Sequence, residues 1–214
     1  MLADEDAGRL TISDQNINVD NGTISVDTAN DLDDTTSGTV TAAITTTESV
    51  TDLKTLTGTH AYTIVIAQDD ADTSSADDLT TINGKTSVAV SLANVTELTA
   101  SSVSDLEALA EDIEANEFSN ATGLTTIAVS GATIEADALA SIIDSYDEIN
   151  GENNTTDMTL ASGAKINVAS TEIEAMLADE DAGRLTISDQ NINVDNGTIS
   201  VDTANDLDDT TSGT

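Results

Sequence analysis

The sequence predicts an α/β fold: a parallel repeat solenoid of strand-plus-short-capped-helix units, about six coils to each 175-residue period. Three observations predict it. Residues 1–39 recur letter for letter as residues 176–214. A Ser/Thr-x-x-Asp-Leu motif returns five times, with the hydroxyl at Thr28, Ser49, Ser75, Ser102 and Thr203. This is a capping signature, in which hydroxyl and carboxylate satisfy the free N–H groups of a helix start. Finally, a glycine follows each candidate helix, and a short β-branched aliphatic run follows each glycine, as buried parallel strands require.

The units follow in order. Residues 9–38 carry the strand runs "LTIS", "NINV" and "TISV", then a helix start at Thr28 and Asp31, then Gly38. Residues 39–60 open with "TVTAAI" and cap a helix at Ser49 and Asp52 before Gly58. In residues 61–85 the strand is "AYTIVI", the cap is Ser75 with Asp78, and Gly84 ends the unit. Residues 86–122 pair "TSVAV" with a helix from Ser102 and Asp105. Residues 123–154 begin at Gly123 with "LTTIAV"; Ile134 replaces the capping hydroxyl, but Asp137 and "EADALASIID" keep a helical pattern up to Gly151. Residues 155–183 give "MTLA", "KINV" and the helical "STEIEAML", with Ala169 in the hydroxyl position before Glu172 and Gly183 at the end. Crossovers between parallel strands make a right-handed coil the expectation. Ile12, Val40, Ile64, Val88, Ile127 and Leu160 are the expected stacking rungs.

Residues 1–175 thus read as one full period and residues 176–214 as the start of the next. Met1 corresponds to Met176, which lies inside a helical run, and Thr214 to Thr39, where a strand opens. Both ends cut through elements, so the expectation is a segment of a longer array. Its expected partners are further copies of its own repeat, stacked end to end, with lateral association as a further option.

Composition narrows function by exclusion. With 41 acidic and 5 basic residues the chain carries a formal charge of −36, which rules out the Lys/Arg surface that nucleic acid needs. The same sign repels anionic membranes, and no apolar run reaches the length of a membrane span. No cysteine is present, so neither disulfides nor a thiolate metal site are available. Residues 176–214 hold nine acids and one arginine, leaving −28 on residues 1–175. Six coils advance roughly 29 Å at about 4.8 Å each, or about one net negative charge per Å. Such a rod repels its copies at low salt and is screened in saline, calcium-containing media outside the cell.

The richness in Thr, Asp and Ala, the lack of cysteine and the strand units spaced by Ser-x-x-Asp-Leu helix starts are similar to the tandem-repeat regions of giant bacterial cell-surface proteins, particularly those of marine cyanobacteria. The resemblance implies secretion, cell-surface display and a structural or adhesive role. It carries no functional residue over to this chain.

Residues with chemistry are few. His60, the single imidazole, precedes a strand and reads as a solvated turn residue. The near-absence of aromatics (Tyr62, Tyr146 and Phe118) argues against a sugar cleft between paired carboxylates, so no enzyme is expected. Calcium is the cofactor to consider: "QDDADTSSADD" and "DTANDLDD" gather Asp69, Asp70 and Asp72, and Asp31, Asp33 and Asp34, as candidate oxygen ligands. Neither stretch has the EF-hand register, and solvated caps and turns are the plainer reading. The expected function is a structural repeat in an extracellular filament, stalk or surface layer. The alternative is a calcium-dependent adhesin or glycan-binding module.

Overall fold

The computed structural model describes residues 3, 8, 10–67, 74–120, 124–131, 133–149, 157–195 and 197–213. Along these, strands and helices alternate: β1 (Ile17–Ile24), α1 (Val26–Thr35), β2 (Val40–Ile44), α2 (Val50–Leu53), β3 (Ala61–Thr63), β4 (Ser74–Ser75) and α3 (Ala76–Asn83). The order continues with β5 (Val90–Ser91), β6 (Glu97–Ala100), α4 (Val103–Glu114), β7 (Phe118–Ser119), β8 (Thr126–Val129), β9 (Thr133–Glu135) and α5 (Ala136–Ile149). It ends with β10 (Asp157–Leu160), β11 (Lys165–Ala169), α6 (Ile173–Asp181), β12 (Leu185–Thr186), β13 (Asn191–Asp195) and α7 (Val201–Thr210).

This is a mixed α/β protein with open parallel sheets, ordered β1-β2-β3, β4-β6-β8-β10-β12, β9-β11-β13 and β5-β7. Parallel neighbours cannot be joined by hairpins, and a helix lies between most paired strands. Glu97 pairs with Thr126, which pairs with Asp157, so partners sit about one repeat unit apart in sequence. Isolated bridges from His60 to Thr86 and from Val65 to Ser91 extend the first sheet toward β5. From α2 onward each helix lies against the next.

Alternation sends one face of most strands inward. Leu98, Ile127, Met158 and Leu185 form one buried rung across β6, β8, β10 and β12. Ile134, Ile166 and Ile192 align across β9, β11 and β13, and Ile17 aligns with Val40 across β1 and β2. Each fully buried aliphatic side chain contributes about 1.5–3 kcal/mol. Many such contacts hold the fold together without disulfides.

The expected rungs need correction. Val40, Ile64 and Ile127 are buried, but Val88 is exposed, while Ile12 and Leu160 are only half-buried. Val40 and Ile127 belong to different sheets. Several repeat units hold two or three strands, so one strand start per unit merges positions that stack in separate ladders. The strands β4, β6, β7 and β9 give no signal in the sequence pattern, being short or polar.

Ser49, Ser75 and Ser102 cap α2, α3 and α4 by accepting the N–H groups of Asp52, Asp78 and Asp105. The full reciprocal box forms at Ser102 and Asp105, where the hydrogen bond from the Ser101 hydroxyl holds the Asp105 carboxyl below its ordinary range. Thr28 and Thr203, however, lie inside α1 and α7. Their N–H groups point to Ser25 and Ser200, the true caps, because extended backbone at those serines starts each helix one turn earlier. The helix α6 starts about a turn later than the sequence pattern placed it: Glu172, not Ala169, holds the cap position, without a side-chain cap.

Candidate functional site

The candidate functional surfaces are the two faces presented by the repeated 39-mer, which occurs in two settings. Among the described residues the helix start and the loop closure match in both copies, while the strand runs longer in the first, Ile17–Ile24 against Asn191–Asp195. Ser25 and Ser200 cap helices of ten residues with matching extended backbone, φ −76° and −72° at ψ 163°. After each helix the chain folds back on its own upstream loop. The Thr36 hydroxyl donates to Gln15 O at 2.6 Å, and the Thr211 hydroxyl to Gln190 O at 2.7 Å. Ser37 N–H donates to Ser13 O, and Ser212 N–H to Ser188 O. The approach excludes side chains: a Cβ on Gly38 would lie 2.5 Å from Gln15 O, and one on Gly213 would overlap Gln190 O.

What covers the two copies differs. In the first, β1 pairs with β2 on its downstream side, and Val26, Ala29 and Leu32 of α1 are buried. Among the described residues of its upstream side, Leu10 is 40% exposed. In the second copy, β13 pairs with β11 on its upstream side; Leu185 is 2% exposed and Gln190 is buried. Its downstream side is open: Val201, the counterpart of Val26, is 76% exposed against 3%.

The covered seam in the first copy is polar at its edge and apolar within. Asn30 donates its amide to Thr55 O at 3.1 Å, and its carbonyl oxygen accepts Thr57 N–H at 2.9 Å. Val26 N–H donates to Glu48 at 3.2 Å, and the Tyr62 hydroxyl to Ala29 O at 3.4 Å. Side-chain bonds also join later units, from Lys54 to Asp78, Ser145 to Glu114 and Ser162 to Asp189.

His60 belongs to this seam and corrects the sequence reading, for it is buried. Its Nδ1 accepts Val40 N–H at 3.2 Å, so the ring proton sits on Nε2, which donates to Asp33 Oδ1 at 2.6 Å. The ring meets Tyr62 edge-on at 5.4 Å. That hydrogen bond from His60 holds the Asp33 carboxyl below its ordinary range. With both nitrogens engaged, the imidazole acts as a cross-unit tie. A spacing of 27 residues between Asp33 and His60, close to one repeat unit, is the signal available in the sequence.

Of the acids expected to bind calcium, Asp33 is occupied by His60, while Asp31 and Asp34 are exposed on α1. Asp69, Asp70 and Asp72 lie outside the described residues. Among the described residues, no three His, Cys, Asp or Glu side chains gather into a group that could hold a metal ion, and no helix is long and apolar enough to cross a membrane. No protein-family model, curated protein or solved structure matches this chain.

Proposed function

We propose that the chain is a structural repeat segment. It is a stretch of parallel α/β solenoid that spans distance in an extracellular filament, stalk or surface layer by stacking coil on coil. One observation carries this reading. The described residues of the repeated 39-mer keep the same serine cap and loop closure in both copies, with opposite faces covered. A unit that can be covered on either side is suited to continuous stacking, in which each coil is stabilised by its neighbours. The side-chain bonds from one unit to the next support the same reading. The net charge of −36 suits a rod working in saline medium, where repulsion is screened over a few ångström.

Electron microscopy of a chain of several 175-residue periods tests it. A continuous rod that lengthens by roughly 29 Å per period is expected, from about 4.8 Å per coil. A string of separate beads would count against it. Calcium-dependent adhesion instead requires a saturable heat on calcium titration; the structural role requires none.

A further inference from the structure

The helices α3 and α4 pack on each other, with Leu79, Ile82, Leu109 and Ile113 buried, and a carboxylate sits at one end of their seam. Asp112 lies in the last turn of α4, which holds no basic residue and where the helix dipole adds negative potential. Among the described residues its Oδ2 is buried without a hydrogen-bond partner, and so is the Thr80 hydroxyl of α3. Thr80 and Asn83 lie near the carboxylate, but neither closes a bond on Oδ2; Asn83 donates instead to the Glu117 carboxylate. The Glu117 N–H in turn donates to the Asp112 carbonyl at 3.0 Å. A buried charged group with an unmade bond carries its desolvation cost in full. We propose that Asp112 is a proton switch in this seam: charged and short of donors at neutral pH, it weakens the contact between α3 and α4, and on taking a proton from solvent in mild acid it tightens that contact. The protonated carboxyl is a donor, with the Thr80 hydroxyl and the Glu117 carboxylate near it as acceptors. This goes beyond the array reading and holds for a single chain.

The groups around Asp112 agree in sign. Glu111 on α4 and Glu117 in the turn before β7 are both negative, and α3 offers only the neutral Thr80 and Asn83. The acids of α3, Asp77 and Asp78, lie in its first turn. On the other side α5 faces α4 with Ala138, Ile142 and Ser145, the last bonded to Glu114. Of the strands packed on α4, β6 starts with the exposed Glu97 and β7 holds no charged residue. Burial pushes the Asp112 carboxyl above its ordinary range; Asn83 and Thr80 work against this, and the charges of Glu117 and Glu111 add to it. An acid raised in the folded chain lowers stability above its folded value, and that loss disappears as pH falls to the unfolded value, near pH 3.9. Asp33, lowered by His60, has the opposite sign, so the two seams answer acid in opposite directions.

The test has two arms on the full chain in molar salt, where the Debye length is about 3 Å and general charge repulsion is screened. In the first, carbon-13 NMR follows the Asp112 carboxyl of the unsubstituted chain through an acid titration. A midpoint above the free-aspartate value of about 3.9 is expected; one at or below it overturns the proposal. The second arm compares Asp112→Asn, a neutral match for the protonated form, with Glu107→Gln, which removes the same charge from an exposed site in the groove between α4 and α5. At pH 7 the Asp112→Asn chain should melt about 2–4 °C above the parent, and the gap should close as pH falls toward about 3.9. Glu107→Gln should stay within about 1 °C of the parent throughout. A gap that persists in acid, a lower melting temperature for Asp112→Asn at pH 7, or an equal rise in Glu107→Gln overturns the switch. So does a calcium-induced rise in the parent that Asp112→Asn abolishes, because the seam would then take a cation in place of a proton. If Asp112→Asn does not fold, the titration of the unsubstituted chain decides.

Discussion

The first and last 39 residues share one sequence but sit in two surroundings, and their described residues differ in burial more than in their caps and turns. The serine caps, the threonine bonds to Gln15 and Gln190, and the glycine approaches are the same in both copies. Each of these interactions lies within the 39-mer, so short-range sequence sets its conformation. Burial is set from outside. Val26 is buried on a helix that packs against β2, whereas Val201 faces solvent; Leu185, paired with Met158 of β10, is 2% exposed, against 40% for Leu10. On the proposed solenoid reading, stability divides into a part intrinsic to each unit and a part belonging to each interface. The paired copies allow the two to be measured apart.

The strongest test of that division is at the leucines. Leu185→Ala should cost about 3 kcal/mol of unfolding free energy, and Leu10→Ala less than about 1 kcal/mol, as measured by urea denaturation. Equal costs would mean that the upstream faces are not differently covered. A smaller contrast is expected at the glutamines. Both accept local N–H groups, but Gln190 Nε2 also donates to the carbonyls of Leu160 and Ala161 across the interface. Gln190→Ala should therefore cost about 1–2 kcal/mol more than Gln15→Ala.

The smallest effect concerns acid. The Asp33 carboxyl is lowered in the folded chain by its bond to His60, so it contributes stability above the unfolded carboxylate value, near pH 3.9. That contribution is lost as pH falls through the lower folded value. Asp33→Asn should flatten the fall in melting temperature between about pH 5 and pH 2. Asp208→Asn, at the exposed equivalent site, should leave it unchanged. Matching profiles for the two variants would show that the histidine tie does not distinguish the copies.

Much of the fold is legible in the sequence because its signals are local. Serine caps at Ser49, Ser75 and Ser102 need only three following residues to be recognised. The aliphatic runs that form β2, β8 and β10 declare themselves by β-branching and length. Glycine is less informative: Gly58 and Gly183 adopt positive φ as expected, but Gly84 closes α3 in right-handed geometry. Three features are hidden because they depend on residues a full unit away. The two-residue β4 and β7 exist only through pairing with β6 and β5. His60 is buried because Asp33 and Tyr62 meet it there. Which face of the 39-mer is covered follows from its neighbours, and one sequence read twice cannot distinguish them.

Tyr62 gives this architecture a built-in optical probe. The chain has no tryptophan and only two tyrosines, both fully buried, and the Tyr62 hydroxyl reaches the Ala29 carbonyl of the first copy. Burial pushes its phenol up to about 12. Undocking of residues 1–39 would bare that ring to water and lower its ionisation toward that of a free phenol. Near-ultraviolet absorbance during an alkaline titration would then report release of residues 1–39 without any added label, while Tyr146 marks the integrity of α5.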